Sequence, residues 1–220
     1  MLTLEKIKSN PQVLEFIQQS DDALAASGYT EHSLSHADFV AERARIIAKE
    51  IGLSEQKQEL ASIAGFCHDM GNFLSRSHHH YLGALLFHQI FQQDFSPREL
   101  AIITQAISSH DKDEMKFSAP ISAIVVLADK TDVRRSRVNS KKNHKIMEDI
   151  HDRVNFATTI SNINIDRKKK LITSVLKIDS NFVPIMEYFE IFTDRMIYCR
   201  KAAEFLGYKF GLIINNFKLL

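Results

Sequence analysis

The chain has 220 residues, 45% hydrophobic and 25% charged, with 28 basic side chains against 27 acidic ones. These values exclude a disordered or low-complexity chain and allow one good-sized domain, or a domain with a small appendage. A formal charge of +1 excludes a global field that would draw the protein to nucleic acid or to an anionic membrane.

The opening residues, Met1-Leu-Thr-Leu-Glu-Lys-Ile-Lys8, mix charge into apolar residues and lack the apolar core and small-residue cleavage site of a signal peptide. No run approaches the roughly 18 apolar residues of a membrane span, so no membrane partner is expected and the expected location is the cytoplasm. Up to about Val138 the pattern is helical. Val13, Phe16 and Ile17 repeat at three and four after Pro11, and Phe39, Val40, Ala44, Ile47, Ala48 and Ile51 do the same before Gly52, which is placed as a helix stop. Ser54-Glu55 opens a helix carrying Leu60, Ile63, Ala64 and Cys67 up to His68-Asp69, and Gly71-Asn72 breaks it. A further helix is expected over Tyr81 to Phe91. Ser96-Pro97-Arg98-Glu99 starts another that runs to His110, and Pro120 opens the next through Val125, Leu127 and Ala128.

Near His151 the period changes. Val154 to Ile160 and Ile163 to Asp166 are β-branched and partly alternating, Lys168 to Lys170 form a charged turn, and Leu171 to Ile178 is strand-like again. A β-hairpin is predicted there. Pro184 to Leu206 is a long helix with an apolar stripe of Ile185, Tyr188, Phe189, Phe192, Met196 and Cys199, stopped by Gly207, and Tyr208 to Asn215 is a candidate third strand. The fold class is therefore mainly α: a helical domain over residues 1–145, then a small α+β module over 146–220. Lys141-Lys142-Asn-His144 is the expected join. The two cysteines, Cys67 and Cys199, lie far apart in apolar helical contexts and read as reduced core residues.

Chemistry concentrates around His68-Asp69, which ends a mostly apolar run. An imidazole and a carboxylate at a buried helix end both need partners, and a divalent cation serves both. His36 precedes Phe39 and Val40 by three and four residues and shares their inward face. His79 stands at a helix start before Gly83-Ala84, His110 ends a helix after Ala106-Ile107, and Asp129 follows Val125 to Ala128. Mixed nitrogen and oxygen ligands suit Mn, Fe, Co, Ni or Zn, and the lack of cysteine spacing argues against a structural zinc site.

With these residues in order, the chain resembles the HD-domain metal-dependent phosphohydrolases. That family's sequence of a first His, a His-Asp pair and a distal Asp is matched by His36, His68, Asp69 and Asp129, the last within Leu127-Ala-Asp-Lys130. The branch that binds two metals adds two histidines, and His79-His-Tyr-Leu-Gly-Ala84 and Ala106-Ile-Ser-Ser-His110 fit both. The favoured likeness is to dinuclear nucleotide-cleaving members such as diadenosine tetraphosphate hydrolases, and it covers about residues 28–138. Three consecutive histidines at 78 to 80 leave the register open, with the spacing to Gly83 preferring His79. The resemblance implies two divalent ions and hydrolysis of a phosphate ester or anhydride of a nucleotide or similar small phosphorylated compound by metal-activated water. By the same analogy Asp69 bridges the metals or orients the nucleophile, while Lys130, with Arg134 and Arg135, neutralises phosphate. His32 and His80 are placed at the substrate entrance. Asn72 stands where many relatives carry a lysine, which removes a phosphate contact often made there.

Other features read as structural. His88, His144 and His151 are expected to be solvated, the Ile185 to Met196 stripe to be core, and Arg134 to Arg137 with Lys141-Lys142 to be a solvated basic face rather than an RNA contact. The C-terminal module is open to three roles: regulation, homodimerisation or closure over the site. Two other functions compete with hydrolysis, a noncatalytic metal or nucleotide sensor and, third, a di-iron oxygenase on the same fold.

Overall fold

A computed structural model describes residues 2–111, 116–138 and 146–219. The expected join at Lys141 to His144 lies outside them. Helices α1 (Leu4–Lys8), α2 (Pro11–Ala26), α3 (Leu34–Glu50), α4 (Glu55–Cys67), α5 (His79–Phe91), α6 (Pro97–Ser109) and α7 (Pro120–Lys130) form the first unit. Their starts follow local chemistry. The Asn10 side chain accepts from the amides of Gln12 and Val13 with Pro11 at the first position, and Ser33 accepts from the Ser35 amide. Ser96 and Glu99 satisfy each other's backbone amides in a capping box. The Ser33 cap begins α3 one and a half turns before Phe39, which puts His36 in its first turn.

Two helices are apolar nearly all round and so belong inside. Every residue from Leu60 to Cys67 in α4 is buried, and so is every residue from Ile121 to Lys130 in α7. Helix α7 packs against α3, α4 and α6 on one side and against the C-terminal part of the chain on the other. Its last turn, Leu127 to Lys130, is buried between them.

The C-terminal part contains α8 (Ile150–Ala157), β1 (Thr158–Asp166), β2 (Leu171–Ile178), α9 (Ile185–Phe205), β3 (Lys209–Ile214) and β4 (Phe217–Lys218). The sheet order is β1-β2-β3-β4. The expected hairpin is the antiparallel β1–β2 pair, and the expected third strand lies parallel to β2 through the α9 crossover. One expectation is corrected: Val154 to Ala157 are the end of α8, not the start of a strand. The Asp149 carboxylate accepts from the amides of His151 and Asp152, and this N-cap starts a helix that β-propensity alone does not foresee. The strand begins only at Thr158.

Helix α9 lies along α7, with Tyr188, Phe192, Met196 and Cys199 buried, as the apolar stripe requires. A buried side chain of α3 ties the sheet to the helices. Arg43 donates from Nη1 to the Thr131 carbonyl at 2.7 Å and from Nη2 to the Ser161 carbonyl of β1 at 2.6 Å. Replacing it removes both bonds and leaves the Thr131 carbonyl with the Ser161 hydroxyl, at 3.1 Å. Arg43→Ala is expected to lower unfolding stability by about 2 kcal/mol in denaturant titration; a change within about 0.5 kcal/mol would show that the bridge carries little.

Candidate metal centre

Each side chain of the expected set is delivered by the end of a helix. His36 is in the first turn of α3, His68 and Asp69 follow α4, His79 begins α5, His110 follows α6, and Asp129 is the penultimate residue of α7. The four histidines are 0–1% exposed. The structure brings all six residues together.

Their contacts divide into two lobes that meet at Asp69. Its Oδ2 lies 3.1 Å from His68 Nε2 and 3.6 Å from His36 Nε2, while its Oδ1 lies 3.3 Å from His79 Nε2 and 3.5 Å from His110 Nε2. Asp129 Oδ1 joins the first lobe at 3.5 Å from His36 and 3.7 Å from His68. Within the lobes the imidazoles nearly touch, with His36 and His68 Nε2 atoms 3.2 Å apart and those of His79 and His110 3.0 Å apart.

The opposite ring nitrogens explain why this arrangement needs a cation. His68, His79 and His110 direct Nδ1 at the carbonyls of Gly65, Arg76 and Ile107, at 2.7, 2.6 and 2.7 Å. A carbonyl oxygen only accepts, so each Nδ1 carries the hydrogen, and the ring is held in the orientation in which Nε2 is the nitrogen turned inward and open to a metal. Gly65 and Ile107 lie in the last turns of their helices, where carbonyls lack intrahelical partners, so the same bond caps the helix and aims the ring. His36 differs: its Nδ1 lies 2.7 Å from Asp132 Oδ2. Inward lone pairs about 3 Å apart repel unless a proton or a metal lies between them. Neutral imidazoles alternating with carboxylates fit a divalent transition metal.

Charge in the cluster follows the same logic. Burial and Arg137 oppose a proton on His36, but the carboxylates of Asp129, Asp132 and Asp69 outweigh them and raise it to about 9. His110 goes the other way, pushed by burial down to about 4 despite its bond to Asp69. Burial works against ionised Asp69, yet His68, His110 and His36 hold it well below the usual carboxylate range. Asp129 is also held well below, with Lys130 the main opponent of its burial.

The approach of the lobes is set by backbone. A methyl group added at Gly71 would collide with the His79 carbonyl and stand 2.5 Å from the Gly83 amide nitrogen. The turn after Asp69 can therefore press on the first turns of α5 only because it has no side chain there. The close approach is made by Gly71 against Gly83.

Outside the six, the expected residues scatter. Lys130 Nζ is held between Asp111 Oδ1 at 2.6 Å and Asp129 Oδ2 at 3.0 Å, and despite burial these carboxylates raise its pKa, so it remains a cation that fixes Asp129. Arg134 bonds Asp132 at 2.8 Å and the Ser35 carbonyl at 3.0 Å, and Arg135 bonds the Phe156 carbonyl at 2.7 Å. Both are engaged by protein. His32 is buried, with Nδ1 on the Thr30 carbonyl at 2.7 Å and its ring 5.6 Å from that of His36. His80 is buried beside His79, at 5.4 Å between rings, and His78 is exposed. Only His79 of the three consecutive histidines presents nitrogen to the cluster. His88 and His151 are exposed, and His144 lies outside the described residues.

Three participants escape a reading by ligand pattern. Asp132 holds His36 and meets Arg137 Nη1 at 3.5 Å. Asp111 holds Lys130 and faces Arg76 at 3.6 Å. Arg76 also lies 3.2 Å from His79 Nδ1 and 3.3 Å from Asn72 Oδ1. A signal existed for Asp111, since His110-Asp111 is a second His-Asp dipeptide. Asn72, in the place of the missing lysine, donates from Nδ2 to Asp69 Oδ1 at 2.9 Å and so orients the shared carboxylate.

Residues 31–134, which contain all six converging residues and Asp132, match the HD domain. Ribonuclease Y of Mycoplasma mycoides is 30% identical over 136 residues, which are 60% of this chain and 30% of that protein. Ribonuclease Y of Mycoplasma capricolum subsp. capricolum is 29% identical over 136 residues, 60% of this chain and 25% of that protein. The chain thus spans less than a third of the length of these curated relatives. No described helix is long and apolar enough to cross a membrane.

Asp132 is the partner whose removal tests the architecture without deleting a ligand. Asp132→Asn is expected to weaken binding of Mn or Co by about 10- to 100-fold, the usual cost of losing such an outer carboxylate. Calorimetric titration of the folded variant measures it. Unchanged affinity would detach Asp132 from the centre.

Proposed function

We propose that this chain, with its HD domain, is a metal-dependent phosphohydrolase acting on a nucleotide or a related small phosphorylated compound, and that its centre holds two divalent ions. One observation carries the reading. The two oxygens of Asp69 face different histidine pairs, an arrangement that suits a carboxylate shared by two ions. His36, His68, Asp69 and Asp129 would hold one ion, and His79, His110 and Asp69 the other.

Such ions supply an activated water and neutralise phosphate oxygens when bound. The chain's own residues prepare for that chemistry. The Nδ1 bonds keep every imidazole in its ligating tautomer. Asn72 holds one Asp69 oxygen, Lys130 holds the outer oxygen of Asp129, and Asp132 steadies His36. Asp69, anionic at neutral pH, is the residue best placed to orient a nucleophile, and Lys130 acts as a positioning cation rather than as an acid or base.

The likeness to proteins named ribonuclease Y supports a second substrate class, the phosphodiester of an RNA. A near-neutral net charge does not favour long nucleic acid, so a short strand or an RNA end fits better. Both classes share the same chemistry.

The chain loaded with Mn, Co or Fe is expected to release product from at least one of a panel of nucleotides, dinucleoside polyphosphates, cyclic nucleotides and short oligoribonucleotides. Chelation should abolish turnover, added metal should restore it, and Asp69→Ala should fall to the metal-free background. Metal-loaded protein that turns over nothing on the panel sinks the proposal. A nucleotide-induced rise in melting temperature without turnover would then favour the sensor, and oxygen uptake by the iron form would favour the oxygenase.

Metal removal has a second readout. Saturating metal at about 100 times its Kd should add about 2.7 kcal/mol to unfolding stability. A melting temperature indifferent to metal and chelator would exclude the centre as a specific site.

A further inference from the structure

The cations that border the centre differ in how far the protein satisfies them. Lys130 is wedged between Asp111 and Asp129, Arg134 bonds Asp132 and the Ser35 carbonyl, and Arg137 is buried against Asp132. Arg76 is different. It stands in the turn between α4 and α5, three residues before His79, and its side chain is 38% exposed.

Among the described residues Arg76 Nε and Nη2 make no hydrogen bond, and Nη1 carries every polar contact of the side chain. Asn72 Oδ1 accepts from it at 3.3 Å. The other contacts do little for the charge. His79 Nδ1, at 3.2 Å, gives its hydrogen to the Arg76 carbonyl and so cannot accept. His79 Nε2, at 3.3 Å, is the nitrogen open to a metal, so its lone pair is lost to Arg76 once an ion is held. Asp111 Oδ2 lies 3.6 Å away, past hydrogen-bond range, and that carboxylate already holds Lys130 at 2.6 Å.

The guanidinium is nonetheless placed. Its Cζ rests 5.5 Å from the ring centre of Tyr29, which is 44% exposed and whose amide bonds the Leu24 carbonyl at 3.0 Å just past the end of α2. Arg76 thus reaches from solvent to the buried nitrogens of His79 with two of its own nitrogens uncommitted. With an ion in the lobe of His79 and His110 it would face like charge at close range, and an anion between the two relieves both.

We propose that Arg76 is a substrate-contact residue that hydrogen-bonds the phosphate group presented to the lobe of His79 and His110, with the Tyr29 ring as its brace. This rests on the phosphohydrolase reading and adds to it the side chain that holds the phosphate beside the ions. A guanidinium suits the task because it can donate two parallel N–H bonds to phosphate oxygens. Nε and Nη2 are the pair available.

The test is equilibrium binding of inorganic phosphate and of AMP to the full chain saturated with Mn, as wild type, Arg76→Ala, Arg76→Lys and Arg98→Ala, with Mn affinity measured on each. Arg98 is exposed in the first turn of α6 and controls for the loss of one positive charge. Arg76→Ala should weaken phosphate and AMP alike by about tenfold or more, the worth of a charge-assisted hydrogen bond, and Arg76→Lys should recover part of the loss. Mn should bind Arg76→Ala at least as tightly as wild type, because a neighbouring cation is gone. Arg98→Ala should match wild type throughout. Weaker Mn binding with anion affinity unchanged would reduce Arg76 to a support for His79 and overturn the proposal. So would a loss for AMP that inorganic phosphate does not share, which puts Arg76 against the nucleoside, and so would a metal-loaded wild type that binds neither anion. Binding that depends on Arg76 in a chain that turns over nothing would sink the hydrolase reading and leave the phosphate contact standing; turnover with anion affinity indifferent to Arg76 would do the reverse.

Discussion

Four bare imidazole nitrogens turned toward one carboxylate are the constraint on which the rest of the centre depends. Each ring is locked from behind: three by a backbone carbonyl three residues earlier and one by Asp132. The carboxylates of Asp129, Asp132 and Asp69 raise His36 to about 9 against burial and Arg137, whereas burial lowers His110 to about 4 despite its bond to Asp69. The cluster thus favours positive charge among its carboxylates, and His36 carries part of it. Burial makes this requirement stringent, because water cannot screen the lone pairs.

Behind that layer lies a second one that joins the two parts of the chain. Asp132 receives His36, Arg134 and Arg137, and one residue earlier Thr131 receives Arg43, whose other arm holds β1. The short segment after α7 therefore connects Asp129 to the sheet through a few buried polar groups. Such groups are costly to leave half-satisfied, so movement of the sheet against α3 would be felt at His36. The C-terminal module is mechanically part of the site even though it donates none of the six converging residues.

Much of this was legible before any coordinates. Apolar periodicity located α2 to α7, because a buried face leaves a clear repeat, and His36, His68, Asp69, His79, His110 and Asp129 could be picked out by their place at the ends of apolar runs. The hairpin and the third strand were legible for the same reason. Val154 to Ala157 were misread because the Asp149 cap decides them and β-branched composition does not. Arg134 and Arg135 illustrate a different limit. Proximity in sequence to Asp129 says nothing about direction, and both side chains are taken up by Asp132, Ser35 and Phe156. Asp132 could not be found from ligand spacing, since it holds His36 from behind and a contact of that kind leaves no periodic trace, and Asp111 shows only as a second His-Asp dipeptide.

The exposure of the six converging residues is uneven. The histidine side chains are 1% exposed, whereas those of Asp69 and Asp129 are 14% and 12% exposed. The cluster accordingly has a closed floor of nitrogen and an open rim of oxygen. Solvent therefore meets the cluster on its carboxylates and not on its imidazoles.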